Sequence, residues 1–189
     1  MLDQIIDLIR KNAGGAVINN PAVPNEKNES AIRQGGNSII ETLKNALAGG
    51  RLNDVLGYFK NGSSGNHDII SEATVNYSRD LQTNLGINEK DATDVATKLI
   101  PPSMGQLANR TIDPDDKSFD IQDIFNQLSG GRSGGLNIQN LLSRFGAGNL
   151  DKDGDGDTDL QDVMSMFSGG GSSKSGAGVL DTVKGLFGG

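Results

Sequence analysis

Apolar residues along this chain recur at helical spacing, and no stretch alternates with the period of two that a half-buried strand requires. Leu2, Ile5, Ile6 and Ile9 stand at i, i+3, i+4 and i+7, one face of a helix that should stop near Gly14–Gly15. Asn19 to Pro24 holds two prolines and two asparagines and reads as a loop. A second helix starts around Asn25–Glu29, with Ile32, Ile39, Ile40, Leu43 and Leu47 as its face. Gly35 and Gly36 lie on that same stripe. Each costs about 1 kcal/mol relative to Ala inside a helix. Either a neighbouring helix approaches closely there, or the helix kinks or breaks. Gly49–Gly50 closes the segment.

Residues 51–60 predict a short third helix, and Asn61 to Asn66 a loop. A fourth helix runs from about Ile69 to Leu85, with Ile70, Ala73, Tyr77 and Leu81 inward and Gly86 as its C-terminal glycine. Asn88, with Asp91 three residues on, forms a near capping box for a fifth helix whose face is Ala92, Val95, Ala96 and Leu99. Pro101–Pro102 should end it, because neither proline can donate to a continuing helix. A short helix around Ser103 to Ala108 follows.

The texture changes after about residue 110. Sixteen of the 27 glycines fall in the last 60 residues, separating short apolar segments that resemble one another. DIQDIFNQLSGG (120–131), NIQNLLSRFGAG (137–148) and DLQDVMSMFSGG (159–170) share one pattern, and RLNDVLGYFKNG (51–62) fits it loosely. Each of the three opens with Asp or Asn, which caps a helix through its side-chain oxygen. Ile or Leu follows, then Gln, then apolar residues on one face, and glycine closes the unit. Two turns are too few to be stable alone in water. Such units therefore need a surface to cover: the N-terminal helices, each other, a second copy or a partner. The division expected is a helical domain over 1–110, short-helix repeats over 111–170, a Gly/Ser linker at 171–178 and an amphipathic segment at 179–189. The fold class is all-α.

Composition removes much chemistry. The 189 residues include no Cys, so there is no disulfide, thiolate nucleophile or Cys-based metal site. One His, His67, leaves no His pair for a metal, and a lone loop imidazole is ordinarily just solvated. A net charge of −7 argues against nucleic acid and anionic lipid as partners. No apolar run approaches the ~18 residues of a transmembrane helix. The N-terminal MLDQIIDLIRK lacks an apolar block with a cleavage site, so a cytoplasmic location is expected, with export by another route left open.

The strongest chemical signal is DKDGDGDTDLQD, Asp151 to Asp162, where six Asp and one Lys carry −5 of the net charge. Calcium is a hard cation taking ~6–8 oxygen ligands, which an EF-hand loop supplies from positions 1, 3, 5, 7, 9 and 12 around a Gly at 6. Those positions here are Asp151, Asp153, Asp155, Asp157, Asp159 and Asp162, with Gly156 at the turn. Asp157 would act through its carbonyl and Asp159 through a water. Carboxylates at alternating positions repel one another unless a cation lies between them. Calcium is the metal expected, with magnesium as its rival. Thr158 stands where paired EF-hands place a branched apolar residue, and Asp162 replaces the usual Glu. The loop therefore resembles those of dockerin-like and other single bacterial EF-hand modules. A second acidic run, DPDDKSFDIQD (113–123), is one residue shorter, lacks the turn glycine and contains Pro114. It reads as a degenerate relative that has lost its metal.

The N-terminal MLDQIIDLIRKNAG, the LIPPSMGQLANRT segment (99–111), the DPDDKSFDIQDIFNQLSGG run (113–131) and the closing VKGLFGG resemble the uncharacterised bacterial DUF937 (YidB-like) family, in its Bacteroidetes form. The likeness covers most of the chain. It implies a small helical cytoplasmic protein and brings no catalytic residue. The expected function is a non-enzymatic calcium-binding structural or protein-interaction protein, with calcium ordering the C-terminal region. One alternative is a self-assembling scaffold in which the metal is only structural. Another is a hydrolytic enzyme or subunit, which would need a pocket holding His67 beside a Ser or carboxylate.

Overall fold

The computed structural model describes residues 2–61, 67–113, 115–130 and 137–144. Seven α-helices occupy most of them: α1 (Leu2–Ala13), α2 (Asn28–Ala48), α3 (Leu52–Asn61), α4 (His67–Leu85), α5 (Glu89–Ile112), α6 (Ile121–Leu128) and α7 (Ile138–Arg144). Among the described residues there is no strand, so the chain is all-α, as its spacing predicts. Helix α5 is the hub, packed against α1, α2, α3 and α4, while α2 also packs against α1 and α4. Helix α6 lies on α2, and α7 lies on α3 and α6.

The paired glycines of α2 mark a close approach. The helix runs unbroken from Asn28 to Ala48, with Gly35 and Gly36 buried. A Cβ on Gly36 would sit 3.0 Å from Ile6 Cγ1, and one on Gly35 would sit 3.3 Å from Ile9 Cγ2 and 3.5 Å from Leu99 Cδ2. Side chains from α1, α4 and α5 thus converge on two residues that have none. Packing gained across three helices offsets the propensity cost of the glycines. Helix α1 buries Ile5, Ile6, Leu8 and Ile9, while Leu2 stays largely exposed. Gly14–Gly15 does not stop the winding there: a π-helical turn continues over Gly14–Ile18 and buries Ala16 and Val17.

Several polar groups of the core bond across helix pairs, while the fully buried Ser103 hydroxyl finds no partner among the described residues. Tyr58 of α3 donates to the Met104 carbonyl of α5 at 2.7 Å, and Tyr77 of α4 donates to the Ala31 carbonyl of α2 at 3.0 Å. Burial pushes both phenols well above their usual range, so they remain neutral donors. Between α2 and α4, Ser38 donates to Asp80 Oδ2 at 2.7 Å, and Asn76 Nδ2 donates to Thr42 Oγ1 at 3.0 Å. At the end of α4 the Leu85 carbonyl accepts from Lys27 Nζ at 2.7 Å, a cation where the helix dipole favours one. Gly86 follows with φ +64°, the left-handed geometry of a helix stop. The cap at Asn88 forms, its Oδ1 accepting from the Asp91 N–H at 3.0 Å while its Nδ2 donates to Asp91 Oδ2 at 2.6 Å, a side-chain pair in place of the return bond of a full capping box.

Pro101 and Pro102 do not end α5, and the separate helix expected around Ser103–Ala108 is its second half. Each proline removes the bond to the carbonyl four residues back, at Thr97 and Lys98, a loss of ~3 kcal/mol or more in a helix interior. Thr97, Lys98 and Pro102 are not buried, so the freed carbonyls stand on the solvent side. On the other face Leu99 and Ile100 before the prolines, and Met104 and Leu107 after them, are fully buried. Packing on both sides carries the helix through.

The two repeat units fold as capped helices on this same core. Asp120 Oδ1 accepts from the N–H groups of Gln122 and Asp123 at 2.8 and 3.2 Å, and Gly130 ends the unit with φ +66°. Asn137 Oδ1 accepts from the Asn140 N–H at 2.9 Å. Ile121, Ile124, Phe125, Leu128, Ile138 and Leu141 join one continuous apolar cluster with α1–α5, and the Phe125 ring lies 5.8 Å from that of Phe59.

Gly36→Leu is expected to destabilise the protein by roughly 1–3 kcal/mol through overpacking against Ile6. A urea midpoint equal to that of the parent chain would mean that α1 and α2 do not close there. Phe125→Ala is expected to cost about 3–5 kcal/mol within a single transition followed by circular dichroism. A separate early transition would show that α6 is not part of the common core.

Candidate functional site

The acidic run at 113–123 shows what its carboxylates do when a helix bundle is built beside them. Helix α5 ends at Ile112 and Asp113 turns extended. Asp113 Oδ1 accepts from the Asp115 N–H at 3.0 Å, and its carbonyl accepts from the Asp116 N–H at 3.2 Å, a turn closed by its own side chain. Asp116 then receives Arg110 Nε at 2.6 Å, the Ser118 N–H at 2.9 Å and the Ser118 hydroxyl at 2.5 Å. The Arg110 guanidinium lies 4.3 Å from the centre of the Phe119 ring, a cation over an aromatic face. Phe119 is buried, and Asp120 is committed to the cap of α6. Among the described residues, no three acidic or imidazole side chains converge as metal ligands would. Asp113, Asp116 and Asp120 act as turn, ion-pair and cap groups.

Three donors on one carboxylate stabilise its charged form. The Arg110 guanidinium first, then the Ser118 hydroxyl and backbone N–H, hold Asp116 down at about 2. Arg110 and Asp116 therefore clamp the exit of α5 to the turn at Lys117–Phe119 and seat Phe119 against the core. Sequence reasoning missed this clamp. Its signal was present, an Arg in the last turn of a helix six residues before an Asp, but the acidic residues read more readily as a metal loop.

A second device joins the two repeats. Gln122, the third residue of its unit, accepts the Ile138 backbone N–H at 2.9 Å through Oε1. Ile138 is the second residue of the next unit and the first of α7, so its N–H has no partner inside the helix. Beyond this junction a cleft of about 260 Å³ opens between the end of α5, the start of α6 and α7. Ile112, Phe119, Ile121 and Leu142 supply its apolar wall, and Asp113, Lys117 and Asp120 its rim. Ile112 is 50% exposed there.

The expected calcium ligands Asp151, Asp153, Asp155, Asp157, Asp159 and Asp162 lie outside the described residues, as do the third repeat, the 171–178 linker and the 179–189 segment. His67 begins α4, and its side chain also lies outside what is described. Among the described residues no helix is long and apolar enough to cross a membrane. No protein-family model, curated protein or solved structure matches the chain.

The clamp predicts a pH dependence with a fixed sign. A carboxylate held below its unfolded value contributes stability that is complete above about pH 4 and is lost as the pH falls toward 2. Arg110→Ala should raise the Asp116 titration measured by carbon-detected NMR toward the ordinary carboxylate range and flatten that acid limb. An Asp116 titration unchanged in the variant would remove Arg110 as the cause.

Proposed function

We propose that the protein is a non-enzymatic, calcium-binding interaction or structural protein. In this reading a helical bundle carries a series of capped repeat units, and one calcium loop, Asp151–Asp162, orders the last of them. The observation that carries it is the coincidence of two patterns at Asp159. That residue is the ninth position of the loop and the first of the repeat unit DLQDVMSMFSGG. The first residues of the other units, Asp120 and Asn137, cap their helices. Calcium held by the loop would thus fix the start of a helix whose apolar residues are Leu160, Val163, Met164 and Phe167.

The chemistry supports calcium over magnesium, because six oxygen positions in a glycine-containing loop suit a large, flexible coordination sphere. The likeness to the DUF937 proteins belongs to the same proposal, since the LIPPSMGQLANRT segment is the second half of α5 and the DPDDKSFDIQDIFNQLSGG run is the clamp with α6. A cytoplasmic location belongs to the same proposal, and there a weak single site would stand empty at resting calcium. The partner proposed is a protein, or a second copy, that meets the apolar face of the ordered unit.

Calorimetry on the full chain should find one Ca²⁺ with a Kd on the order of 10⁻⁵–10⁻³ M, the range from sensors to extracellular modules. Asp151→Ala should abolish the site. Zero stoichiometry at millimolar calcium would end the proposal. Light scattering with and without calcium reads self-association directly.

A further inference from the structure

We infer that residues 159–167, the third repeat unit, dock on α7 as α7 docks on α6, closing the cleft beside Leu142 and donating the Leu160 backbone N–H to Gln139 Oε1. For its dependence on metal, and for that alone, the inference rests on the calcium reading of 151–162.

The observed junction supplies the geometry. In the first unit the third-position Gln122 accepts the N–H of the second-position Ile138 from the following unit. The sixth position, Phe125, is buried against Phe59. The second unit carries the same parts at the same places, Gln139 and Leu142. Both line the cleft, yet Gln139 is exposed and Leu142 only partly buried. The acceptor in use in one unit stands open in the next, and the apolar sixth position that the bundle covers in the first unit is only partly covered in the second.

The third unit offers what those groups lack. Leu160 is its second residue, and on the pattern of the first two units its N–H would stand in a first turn with no partner inside the helix. Leu160, Val163 and Met164 supply apolar surface to cover Leu142 and Ile112. The occupant is tethered at the site, because the chain leaves α7 at Arg144, close to the cleft wall at Leu142, and only 14 residues separate it from Asp159. Extended chain spans roughly 3.3 Å per residue, so the linker reaches with length to spare. Units begin 17 residues apart at Asp120 and Asn137 and 22 apart at Asn137 and Asp159, and the longer interval contains most of the acidic loop. Wrapping that loop around an ion shortens its span.

Charge sets the metal dependence. Asp113, Asp120 and Lys117 stand on the rim of the cleft, and Asp116 is paired with Arg110, so the rim keeps a net negative charge. Without a cation the carboxylates of 151–162 would be repelled by that rim as well as by each other. Calcium removes both repulsions, so docking and binding should be thermodynamically linked.

The test uses the full chain with isotope labels on leucine and valine methyl groups. In calcium, contacts should appear between the Leu142 methyls and those of Leu160 or Val163, and the Leu160 amide should become protected from exchange. Gln139→Ala and Leu142→Ser, both outside the proposed ligand set, should each weaken calcium binding about threefold or more through that linkage. If calcium binds with unchanged affinity in both variants and the methyl contacts are absent, docking is overturned while the calcium reading stands. If calorimetry finds no calcium yet the contacts are present, docking stands and the calcium reading falls. Contacts seen only between differently labelled chains in a mixed sample would overturn the inference in favour of a second copy.

Discussion

The bundle depends on how closely α1 and α2 approach at Gly36. A helix pair normally keeps its axes about 8–10 Å apart because side chains fill the gap. Here the missing Cβ atoms let Ile6 and Ile9 settle onto the backbone of α2, and Leu99 and Tyr77 reach the same place from α5 and α4. Four helices therefore share a contact where even an added Cβ would make a neighbour give way by a few tenths of an ångström. Everything further out is positioned relative to it. Tyr77 of α4 bonds the Ala31 carbonyl of α2 beside that contact, and α5 passes two prolines with its buried face held on both sides of them.

Beyond the bundle the chain changes strategy. The glycine-rich half spends little sequence on long helices and repeats a two-turn unit whose cap, junction and apolar stripe are each specified by single residues. Asp120, Gln122 and Phe125 do these three tasks in the first unit. A unit so short gains little from helix propagation and must take its stability from the surface it covers. The Arg110–Asp116 clamp serves that end by fixing where the first unit leaves α5, so Phe119 and Ile121 enter the core in register.

Much of this was legible in the residues, and the exceptions have physical causes. The helical spacing, the Asn88 cap and the Gly86 stop are local signals with local consequences, and they appear as read. Gly35 and Gly36 stayed ambiguous because their meaning depends on Ile6 and Ile9, some 30 residues upstream, and no local rule says whether a neighbour will arrive. Pro101 and Pro102 misled for the opposite reason. The local cost is real, but it is outweighed by buried contacts on both sides that only the tertiary arrangement supplies. The role of Asp116 was hidden by its neighbours, since a run of acids suggests a cation and here the cation is the guanidinium of Arg110. The third-position Gln was visible as part of a repeat, but a junction between units cannot be read from one unit alone. The loop at 151–162 is legible as a ligand pattern, and its residues lie outside those the structure describes.

The two buried phenols have an optical consequence. The chain contains no Trp and two Tyr, so its absorbance near 280 nm, and the fluorescence excited there, come from Tyr58 and Tyr77. Both sit inside the bundle with their hydroxyls on carbonyls of other helices. Ultraviolet spectroscopy of this protein is therefore a selective instrument. It follows the packing of α2 to α5 and is blind to the acidic loop, where no chromophore stands within the sequence from Asp151 to Asp162. A filled loop and an empty one would both give the same trace near 280 nm.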